Sequence, residues 1–346
     1  MYTFCFRLCL AASLPFICVS EPTTAAAQKP SAKIFVAWWN LENLFDTIND
    51  ATLDDDFTPT GKFEWTPERL DRKYKNLARV IGDLSPEGGL PDVMGFCEIE
   101  HEALLQTLFK DYLKSTTHRT VYYESPDERG IDVGLIYDSS KLKLLSSKNY
   151  RVELGGRPTR DVLAASFNFN GHVLHVLCNH WPSKRGGEEK SEPKRMLAAK
   201  VVRAIVDSIL AADKNADIVL LGDFNAEPEA ESIVKTLRST GNMDSVKTST
   251  TGLLYNCMAN YSGVGSILFG NQWEKIDHAI LARGLFDKKG FYTSQENFLC
   301  IYKDYMLETP KRKTSSPKPL RTFSGGKYLG GYADHFPITL VLFVAK

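Results

Sequence analysis

The sequence lacks a charge excess of either sign, since 42 lysines and arginines balance 42 aspartates and glutamates. A general electrostatic attraction to polyanions is therefore excluded, and affinity for nucleic acid would need a local basic patch. The chain also lacks internal repeats, and beyond its N-terminal segment no apolar run is long enough to span a membrane as a helix. Its 346 residues, 43% of them hydrophobic, are enough to bury a sizeable core.

The N-terminal segment has the layout of a secretory signal peptide. Arg7 supplies a positive charge, a short apolar run extends from Leu8 to Val19, and Ala25-Ala26-Ala27 offers a cleavage site. The run is too short to cross a bilayer as a helix. We therefore expect a signal peptide that ends at residue 27, a linker over residues 28–32 and a domain over residues 33–346. The mature protein would be secreted or periplasmic, without stable membrane insertion.

Few cysteines remain beyond that segment, namely Cys97, Cys178, Cys257 and Cys300. Their spacing matches no zinc motif. Cys97 and Cys178 lie in apolar, strand-like runs, where a free cysteine packs as a small hydrophobe. Cys257 and Cys300 lie in more irregular sequence and could pair in an oxidising compartment, an alternative that the sequence leaves open.

Apolar runs of strand length alternate with helical patterns along the chain. Helices are predicted from Thr66-Pro67, which suits an N-cap and a first turn, and over Pro193–Leu210. Strands are predicted over Lys33–Trp39, Pro91–Ile99, Ile131–Tyr137, Val162–Phe169, Val173–Leu177, Asp217–Leu221, Lys275–Leu281 and Pro337–Val344. The mixture of hairpins and covering helices predicts an α+β fold in which sheets pack on each other with helices outside.

Several of these strands end in polar side chains that magnesium or phosphate chemistry would use. The ends carry Asn40, Glu98, Asn179-His180 and Asp223-Phe224-Asn225. One such end could be a simple turn, because Asn and Asp favour turns. Together, and without a histidine–cysteine cluster, they indicate oxygen ligands for a hard cation at a sheet edge.

Six segments resemble the endonuclease/exonuclease/phosphatase superfamily, which includes DNase I-like nucleases, abasic-site endonucleases, sphingomyelinases and inositol-phosphate phosphatases. They occur in the family's order between about residues 33 and 344: Trp39-Asn40-Leu41-Glu42-Asn43, Cys97-Glu98, Asn179-His180-Trp181, Gly222-Asp223-Phe224-Asn225-Ala226, Lys275-Ile276-Asp277-His278 and Ala333-Asp334-His335-Phe336-Pro337. The resemblance implies a four-layer α/β/β/α sandwich, with two packed mixed sheets flanked by helices. It also implies a Mg²⁺-dependent phosphoesterase in which Mn²⁺ can substitute.

The resemblance implies a metal site and a water site. Glu98 matches the metal-binding glutamate, Asn40 lies beside it, and Asp334 lies next to the metal. Asp223 matches the residue that orients or deprotonates the attacking water. Asn225 matches a residue that holds water or phosphate.

Two histidines complete the implied catalytic set. His180 and His335 match the histidines that contact the scissile phosphate, and Asp277 matches the carboxylate that orients His335. A neighbouring carboxylate favours the charged form of a histidine. We therefore expect His335 to be a cation, which suits it for binding phosphate.

Other polar residues near these motifs have two interpretations each. Glu100, two residues beyond Glu98 and on the same face of an extended strand, is either a second metal ligand or a solvated edge residue. Trp181 and Arg185 either line the cleft or form a packed tryptophan beside a solvated arginine.

The segment that contains Arg129 and Asp132 also has two interpretations. Arg129 could clamp a phosphate and Asp132 could orient His180, or both could be turn-forming residues at the surface.

The region between Pro310 and Lys327 is basic and contains no acidic residue. Its six basic residues are Lys311, Arg312, Lys313, Lys318, Arg321 and Lys327. It is either a solvated loop or a clamp for phosphates that flank the scissile one, and a clamp favours nucleic acid over sphingomyelin.

We therefore predict a secreted phosphodiesterase that hydrolyses DNA or RNA by attack of water. A sphingomyelinase-like or small-phosphoester hydrolase is the alternative. A catalytically inactive binding module is disfavoured, because every matched catalytic position keeps a competent side chain. No protein partner can be inferred.

Overall fold

A computed structural model describes residues 1–2, 32–308 and 318–345. The predicted signal peptide and linker fall almost entirely outside these ranges. The strands within them are β1 (Lys33–Leu44), β2 (Val93–Ile99), β3 (His118–Tyr122), β4 (Asp132–Asp138), β5 (Lys143–Tyr150), β6 (Val162–Phe169), β7 (His172–His180), β8 (Asp217–Asp223), β9 (Ser239–Thr240), β10 (Leu254–Asn256), β11 (Ile267–Phe269), β12 (Gln272–Glu274), β13 (Asp277–Leu281), β14 (Phe291–Tyr292), β15 (Phe298–Cys300), β16 (Phe323–Ser324), β17 (Lys327–Tyr328) and β18 (Ile338–Val344).

Few of the helices are long. The α-helices are α1 (Pro67–Gly82), α2 (Glu102–Thr107), α3 (Glu188–Ala212) and α4 (Met243–Thr248). Short 3₁₀ segments are Asp55–Phe57, Cys257–Asn260, Arg283–Phe286, Gln295–Asn297 and Asp304–Met306, and π-helical turns are Leu108–Tyr112 and Ser232–Thr236. No helix in the described ranges combines the length and the apolar character that a membrane crossing requires.

The local signals explain where the two long helices begin. Thr66 caps α1 by accepting a hydrogen bond from the Arg69 N–H, and Pro67 occupies a position where no N–H is needed. The start of α1 is thus as predicted. Helix α3 begins at Glu188, before the predicted Pro193, because a proline near the start of a helix removes only one internal hydrogen bond.

The strands form two seven-stranded mixed sheets. The first has the order β14-β18-β1-β2-β4-β3, with β15 also paired to β18, and the second has the order β5-β6-β7-β8-β13-β10-β9. Two separate two-stranded ribbons are formed by β11 with β12 and by β16 with β17. The β6–β7 hairpin turns at Asn170-Gly171, where both residues have the positive φ of a tight hairpin turn, as the sequence predicts.

The layers follow from the alternation of side chains along the strands. In β8, Val219 and Leu221 point into the core between the sheets, whereas Ile218 and Leu220 pack against α3. Helix α1 buries its own apolar stripe against the first sheet. Two mixed sheets packed together and flanked by helices confirm the predicted α+β sandwich.

The two sheets approach each other closely at Gly95 of β2. A Cβ atom on Gly95 would lie 2.7 Å from both the Cys178 sulfur and the Trp38 ring, so only glycine fits. Cys178 lies on β7, and its contact with β2 links the two sheets directly beneath the strand ends that form the candidate site.

The four cysteines beyond residue 31 are free and buried. Of the two alternatives that the sequence leaves open for Cys257 and Cys300, the structure has the unpaired one. Cys300 contacts the Gly265 carbonyl oxygen at 3.9 Å, and burial raises the pKa of both thiols. Each behaves as the small hydrophobe that was expected only of Cys97 and Cys178.

Candidate active site

Strand pairing brings the polar strand ends together. Strands β7 and β8 run parallel, so His180 lies beside Asp223, and antiparallel β13 places Asp277 on the other side of Asp223. In the first sheet, β1 and β2 are parallel and Asn40 pairs with Cys97, next to Glu98. The same-edge convergence expected from the sequence is present.

His335 and Asp277 form a buried pair. The His335 Nδ1 lies 2.6 Å from Asp277 Oδ2. Burial alone would lower the pKa of His335, but the carboxylates of Asp277 and Asp223 raise it well above its usual value. This direction favours the cationic form of His335, the form expected from its pairing with Asp277.

Two consecutive tryptophans of β1 hold this pair in place. The Trp38 Nε1 donates to the other Asp277 oxygen at 2.9 Å, and the Trp39 Nε1 donates to the His335 carbonyl oxygen at 2.9 Å. All four residues are at most 4% exposed. These roles were not predicted from the sequence, although the Trp38-Trp39 doublet directly before Asn40 was the signal for them.

Asp223 lies at the centre of the site. Its Oδ2 accepts a hydrogen bond from Asn40 Nδ2 at 3.1 Å, and its Oδ1 accepts one from the Asn225 N–H at 2.9 Å. The same Oδ2 lies 3.7 Å from His180 Nε2 and 3.8 Å from His335 Nε2. Burial raises the pKa of Asp223 to about 7, opposed by His335 and reinforced by Asp277. A carboxylate with this pKa can accept a proton near neutral pH.

His180 has the opposite charge preference from His335. Burial lowers its pKa well below the usual value, and Arg160 and Arg129 lower it further, so the ring is neutral. Its Nδ1 is buried and has no hydrogen-bond partner among the described residues. The suggestion that Asp132 orients this ring is wrong.

Asp132 is engaged elsewhere. Its carboxylate accepts hydrogen bonds from the Tyr122 hydroxyl and the Ser125 N–H, both at 2.8 Å. These donors hold the carboxylate beside β3, and His180 is not among its partners.

Glu98 and Asn40 carry oxygen atoms of the kind that bind a hard divalent cation. Glu98 has a left-handed backbone, with φ of 60°, and its Oε2 accepts the Asn43 N–H at 3.0 Å. Its Oε1 lies 3.9 Å from His180 Nε2. Carboxylate and amide oxygens are the donors that Mg²⁺ prefers, so the residues present suit that ion.

Asp334, the third predicted metal ligand, is already engaged in an ion pair. Its Oδ2 accepts a hydrogen bond from Arg321 Nη2 at 2.7 Å, and Arg321 Nε donates to Glu42 Oε1 at 3.0 Å. Arg321 thus bridges two carboxylates, which argues against its predicted use as a phosphate clamp. Buried Lys73 fixes the same region by donating to the Thr322 hydroxyl at 2.6 Å. The predicted clamp residues Lys311 and Arg312 lie outside the described residues.

An open cavity of about 700 Å³ passes over the site. The predicted site residues along its wall are Asn40, Glu98, Arg129, His180, Arg185, Asp223, Asn225 and His335. Asp277 lies behind His335, and Trp181 is buried with its ring against Phe224, so Trp181 is a packed tryptophan.

The cavity wall also contains basic residues that were not predicted from the sequence as site residues. They are Arg157, Arg160, Lys190 and Lys194. Arg160 is 8% exposed and donates to Asp127 Oδ2 at 3.0 Å and to the Trp181 carbonyl oxygen at 2.8 Å. Lys190 and Lys194 lie on one face of α3, at the spacing of one helical turn, and that spacing was the available signal.

The sequence model of the Endonuclease/Exonuclease/phosphatase family matches residues 35–346. The chain belongs to this family. As a member it is a phosphoester hydrolase, and enzymes of this family are generally dependent on a divalent metal. A search of curated protein sequences finds no significant match.

Solved structures show the same fold at low sequence identity. An endonuclease/exonuclease/phosphatase family protein from Bacteroides thetaiotaomicron is 15% identical, with 90% of this chain and 98% of that chain covered and a TM-score of 0.57. D. rerio TDP2 complexed with single strand DNA product is 15% identical, with 90% and 99% covered and a TM-score of 0.56. A mannosyl-6-phosphatase from Bacteroides thetaiotaomicron is 14% identical, with 90% and 100% covered and a TM-score of 0.56.

Proposed function

We propose that the protein is an exported, Mg²⁺-dependent phosphodiesterase that cleaves nucleic acid. The observation that carries the choice of substrate is the basic wall of the cavity. Arg129, Arg157, Arg185, Lys190 and Lys194 all line it and are exposed. A polymer with phosphates on both sides of the scissile bond would contact such a wall, whereas a small phosphomonoester would not reach it.

Three of these cations are free to bind phosphate. Arg157 pairs with Glu128 at 2.9 Å, and Arg129 lies 3.7 Å from Asp127. In the described part of the chain, Arg185, Lys190 and Lys194 have no carboxylate partner within 4.0 Å. They line the cavity without a neutralising partner, so a bound polyanion would supply their counter-charge.

The proposed chemistry is in-line displacement by water. Asp223 orients the water and accepts its proton, and the Asn225 amide holds the water or a phosphate oxygen. The Asn225 Nδ2 is itself held by the Trp181 carbonyl oxygen at 3.0 Å, which fixes the direction of the amide. Glu98 and Asn40 would hold the Mg²⁺ ion, which neutralises charge that develops on the phosphoryl oxygens.

The two histidines then serve different purposes. His335, kept cationic by Asp277, donates to a non-bridging phosphate oxygen and stabilises charge in the transition state. Neutral His180 donates a hydrogen bond without adding charge, since Arg160 already provides a cation beside it. A fixed cation and a neutral donor on opposite sides of Asp223 leave its carboxylate free to accept a proton.

The substrate is tested by comparing a panel with and without EDTA. It comprises duplex DNA, single-stranded DNA, RNA, sphingomyelin, inositol phosphates and mannose 6-phosphate, each with Mg²⁺. We expect metal-dependent cleavage of a nucleic acid at the highest kcat/KM. A clear preference for a phosphomonoester or for sphingomyelin would overturn the assignment.

The role of the basic wall is tested with a charge-matched pair of variants. Lys190→Ser/Lys194→Ser removes two cavity cations, and Lys200→Ser/Lys214→Ser removes two exposed cations outside the cavity. For duplex DNA, we expect the first pair to reduce the slope of log affinity against log salt by about 0.9 per lost contact. The control pair should leave that slope unchanged. Cleavage of bis(p-nitrophenyl) phosphate should change little in either, because it reaches only the central residues.

Export is tested separately. Arg7, the apolar run and Ala25-Ala26-Ala27 motivate it, and these residues lie outside the described ranges. N-terminal sequencing of the protein recovered outside the cytoplasm should begin at or near Gln28. A protein that retains its first 20 residues would contradict the proposal.

A further inference from the structure

A second group of acidic side chains gathers where β2 ends. It is formed by the loop after β1, by residues just beyond β2 and by one residue after β3, and it is called the Glu100 cluster here: Asp46, Asp50, Asp54, Glu100, His101 and Glu124. One carboxylate oxygen each of Asp46 and Glu100 and one ring nitrogen of His101 lie within 4.8 Å of one another.

The Glu100 cluster is separate from the cavity. Glu98 lines the cavity, but Glu100 does not. The expectation that both share one strand face is wrong, because the left-handed φ at Glu98 and a register shift between Cys97 and Ile99 interrupt the alternation. Glu98 consequently faces Asn43 and His180, whereas Glu100 faces the Asp46 loop.

In the part of the chain that the structure describes, two carboxylate oxygens of the cluster are buried without a hydrogen-bond partner. Glu100 is 1% exposed; its Oε2 accepts the Asp46 N–H at 2.7 Å, while its Oε1 has no hydrogen-bond partner. Asp54 is also 1% exposed; its Oδ2 accepts the Asp50 N–H at 3.0 Å, while its Oδ1 has no partner. Buried polar atoms are rarely left unpaired, and Glu100 Oε1 belongs to the residue that lies with Asp46 and His101, so this oxygen is placed to bind a further ligand there.

The cluster also lacks a permanent counter-charge. Within the described residues, no lysine or arginine lies within 4.0 Å of any of its carboxylates, and His101 is their only ion-pair partner. His101 Nε2 lies 2.6 Å from Asp50 Oδ2, and its Nδ1 lies 3.5 Å from Glu124 Oε1. Five carboxylates around one imidazole repel one another, and a bound cation would relieve that repulsion.

We infer that the Glu100 cluster binds a divalent metal ion, distinct from the catalytic one, through Asp46, Glu100 and His101. Mixed carboxylate and imidazole donors suit Mn²⁺ or Zn²⁺ better than Mg²⁺ or Ca²⁺. The close contact of Asp50 with one His101 nitrogen resembles the outer carboxylates that orient metal-binding histidines. The ion would fasten the loop from Asp46 to Asp54 onto the end of β2.

The test isolates this site by weakening the catalytic one. The full chain carrying Glu98→Gln is titrated calorimetrically with MnCl₂ and with ZnCl₂, and bound metal is counted by elemental analysis after desalting. We expect one ion per chain to remain in this background. Adding Glu100→Gln, which keeps the acceptor for the Asp46 N–H, should weaken that binding at least about tenfold. Asp46→Asn should have the same effect and provides a second variant if Glu100→Gln unfolds.

The matched control is Asp55→Asn in the same background. Asp55 directly follows that loop, but within the described residues its exposed carboxylate accepts only from the Asn49 amide, at 3.2 Å. It should bind metal as tightly as the Glu98→Gln parent. The inference is overturned if the parent retains no ion, if Glu100→Gln and Asp46→Asn both keep it, or if Asp55→Asn loses it equally.

Discussion

The hydrogen bond from Trp38 to Asp277 gives the sharpest test of how the fold supports the site. Both residues are fully buried, and the Asp277 carboxylate accepts from Trp38 at 2.9 Å on one oxygen while pairing with His335 at 2.6 Å on the other. Trp38→Phe keeps an aromatic ring at the contact between the two sheets but removes the indole N–H. One Asp277 oxygen then loses its donor inside the protein.

The magnitude follows from the charge on the acceptor. A hydrogen bond to a charged group is worth about 1.5–3 kcal/mol. If the whole loss falls on the transition state, through a displaced Asp277–His335 pair, kcat/KM falls about 10- to 150-fold. We expect the fall mainly in kcat, because Trp38 does not line the cavity in which the substrate would bind.

Trp65 provides a matched control for this change. Trp65 is also fully buried, and its Nε1 donates to the neutral carbonyl oxygen of Phe45 at 3.0 Å, in a separate aromatic cluster. Trp65→Phe should cost about 0.5–1.5 kcal/mol of unfolding free energy and leave kcat/KM unchanged. Hydrolysis of bis(p-nitrophenyl) phosphate and urea unfolding measure the two quantities. The reasoning is refuted if Trp38→Phe turns over at the wild-type rate, or if Trp65→Phe loses as much activity.

Three further changes probe the water site, the sheet contact and a remote carboxylate. Asp223→Asn should keep the fold but reduce kcat by about 10²- to 10⁴-fold, as measured on the same diester; near-normal turnover would exclude it as the base. Gly95→Ala should lower the free energy of unfolding in urea by about 1–3 kcal/mol, because the new methyl group would lie 2.7 Å from the Cys178 sulfur. An unchanged urea midpoint would contradict the close approach. Asp217 accepts the Phe291 N–H, and burial raises the pKa of its carboxyl group from 3.8 to about 7. The stability that comes from the protonated carboxyl group is therefore complete below about pH 3.8 and is lost as pH rises through 7. In Asp217→Asn, the decrease in unfolding free energy between pH 4 and pH 8 should be smaller than in the wild type by up to about 4 kcal/mol. Parallel pH profiles of the two proteins would contradict this prediction.

Most of the fold could be predicted because its signals are local. Thr66-Pro67 sets the start of α1, and Asn170-Gly171 sets the β6–β7 turn, each through backbone preferences of single residues. Strand ends also predicted which side chains converge, since β7 and β8 are parallel. The state of Cys257 and Cys300 was not predictable, because disulfide formation depends on how distant strands bring the sulfurs together.

The supporting partners of the site were harder to predict, because they join residues far apart in the chain. Arg321 lies in a basic segment whose composition suggests a phosphate clamp, yet its side chain bridges Glu42 and Asp334. Arg160 gave no local signal at all and became part of the site only through Asp127 and the Trp181 carbonyl group. Charge alone cannot separate a cation that binds substrate from one that holds two carboxylates together.

Several site residues adopt backbone conformations that their residue types disfavour. Glu42, Asn43, Glu98 and Asn225 all have left-handed φ angles between 48° and 60°, where glycine would be less strained. Such conformations cost about 1–3 kcal/mol each and persist only where surrounding contacts offset them. Here the offsets are visible: Glu98 accepts the Asn43 N–H, Glu42 accepts from Arg321, and the Asn225 N–H donates to Asp223. A glycine would remove the Glu42, Glu98 and Asn225 side chains that the site uses, so the strain at these positions is the consequence of needing both the turn and the side chain.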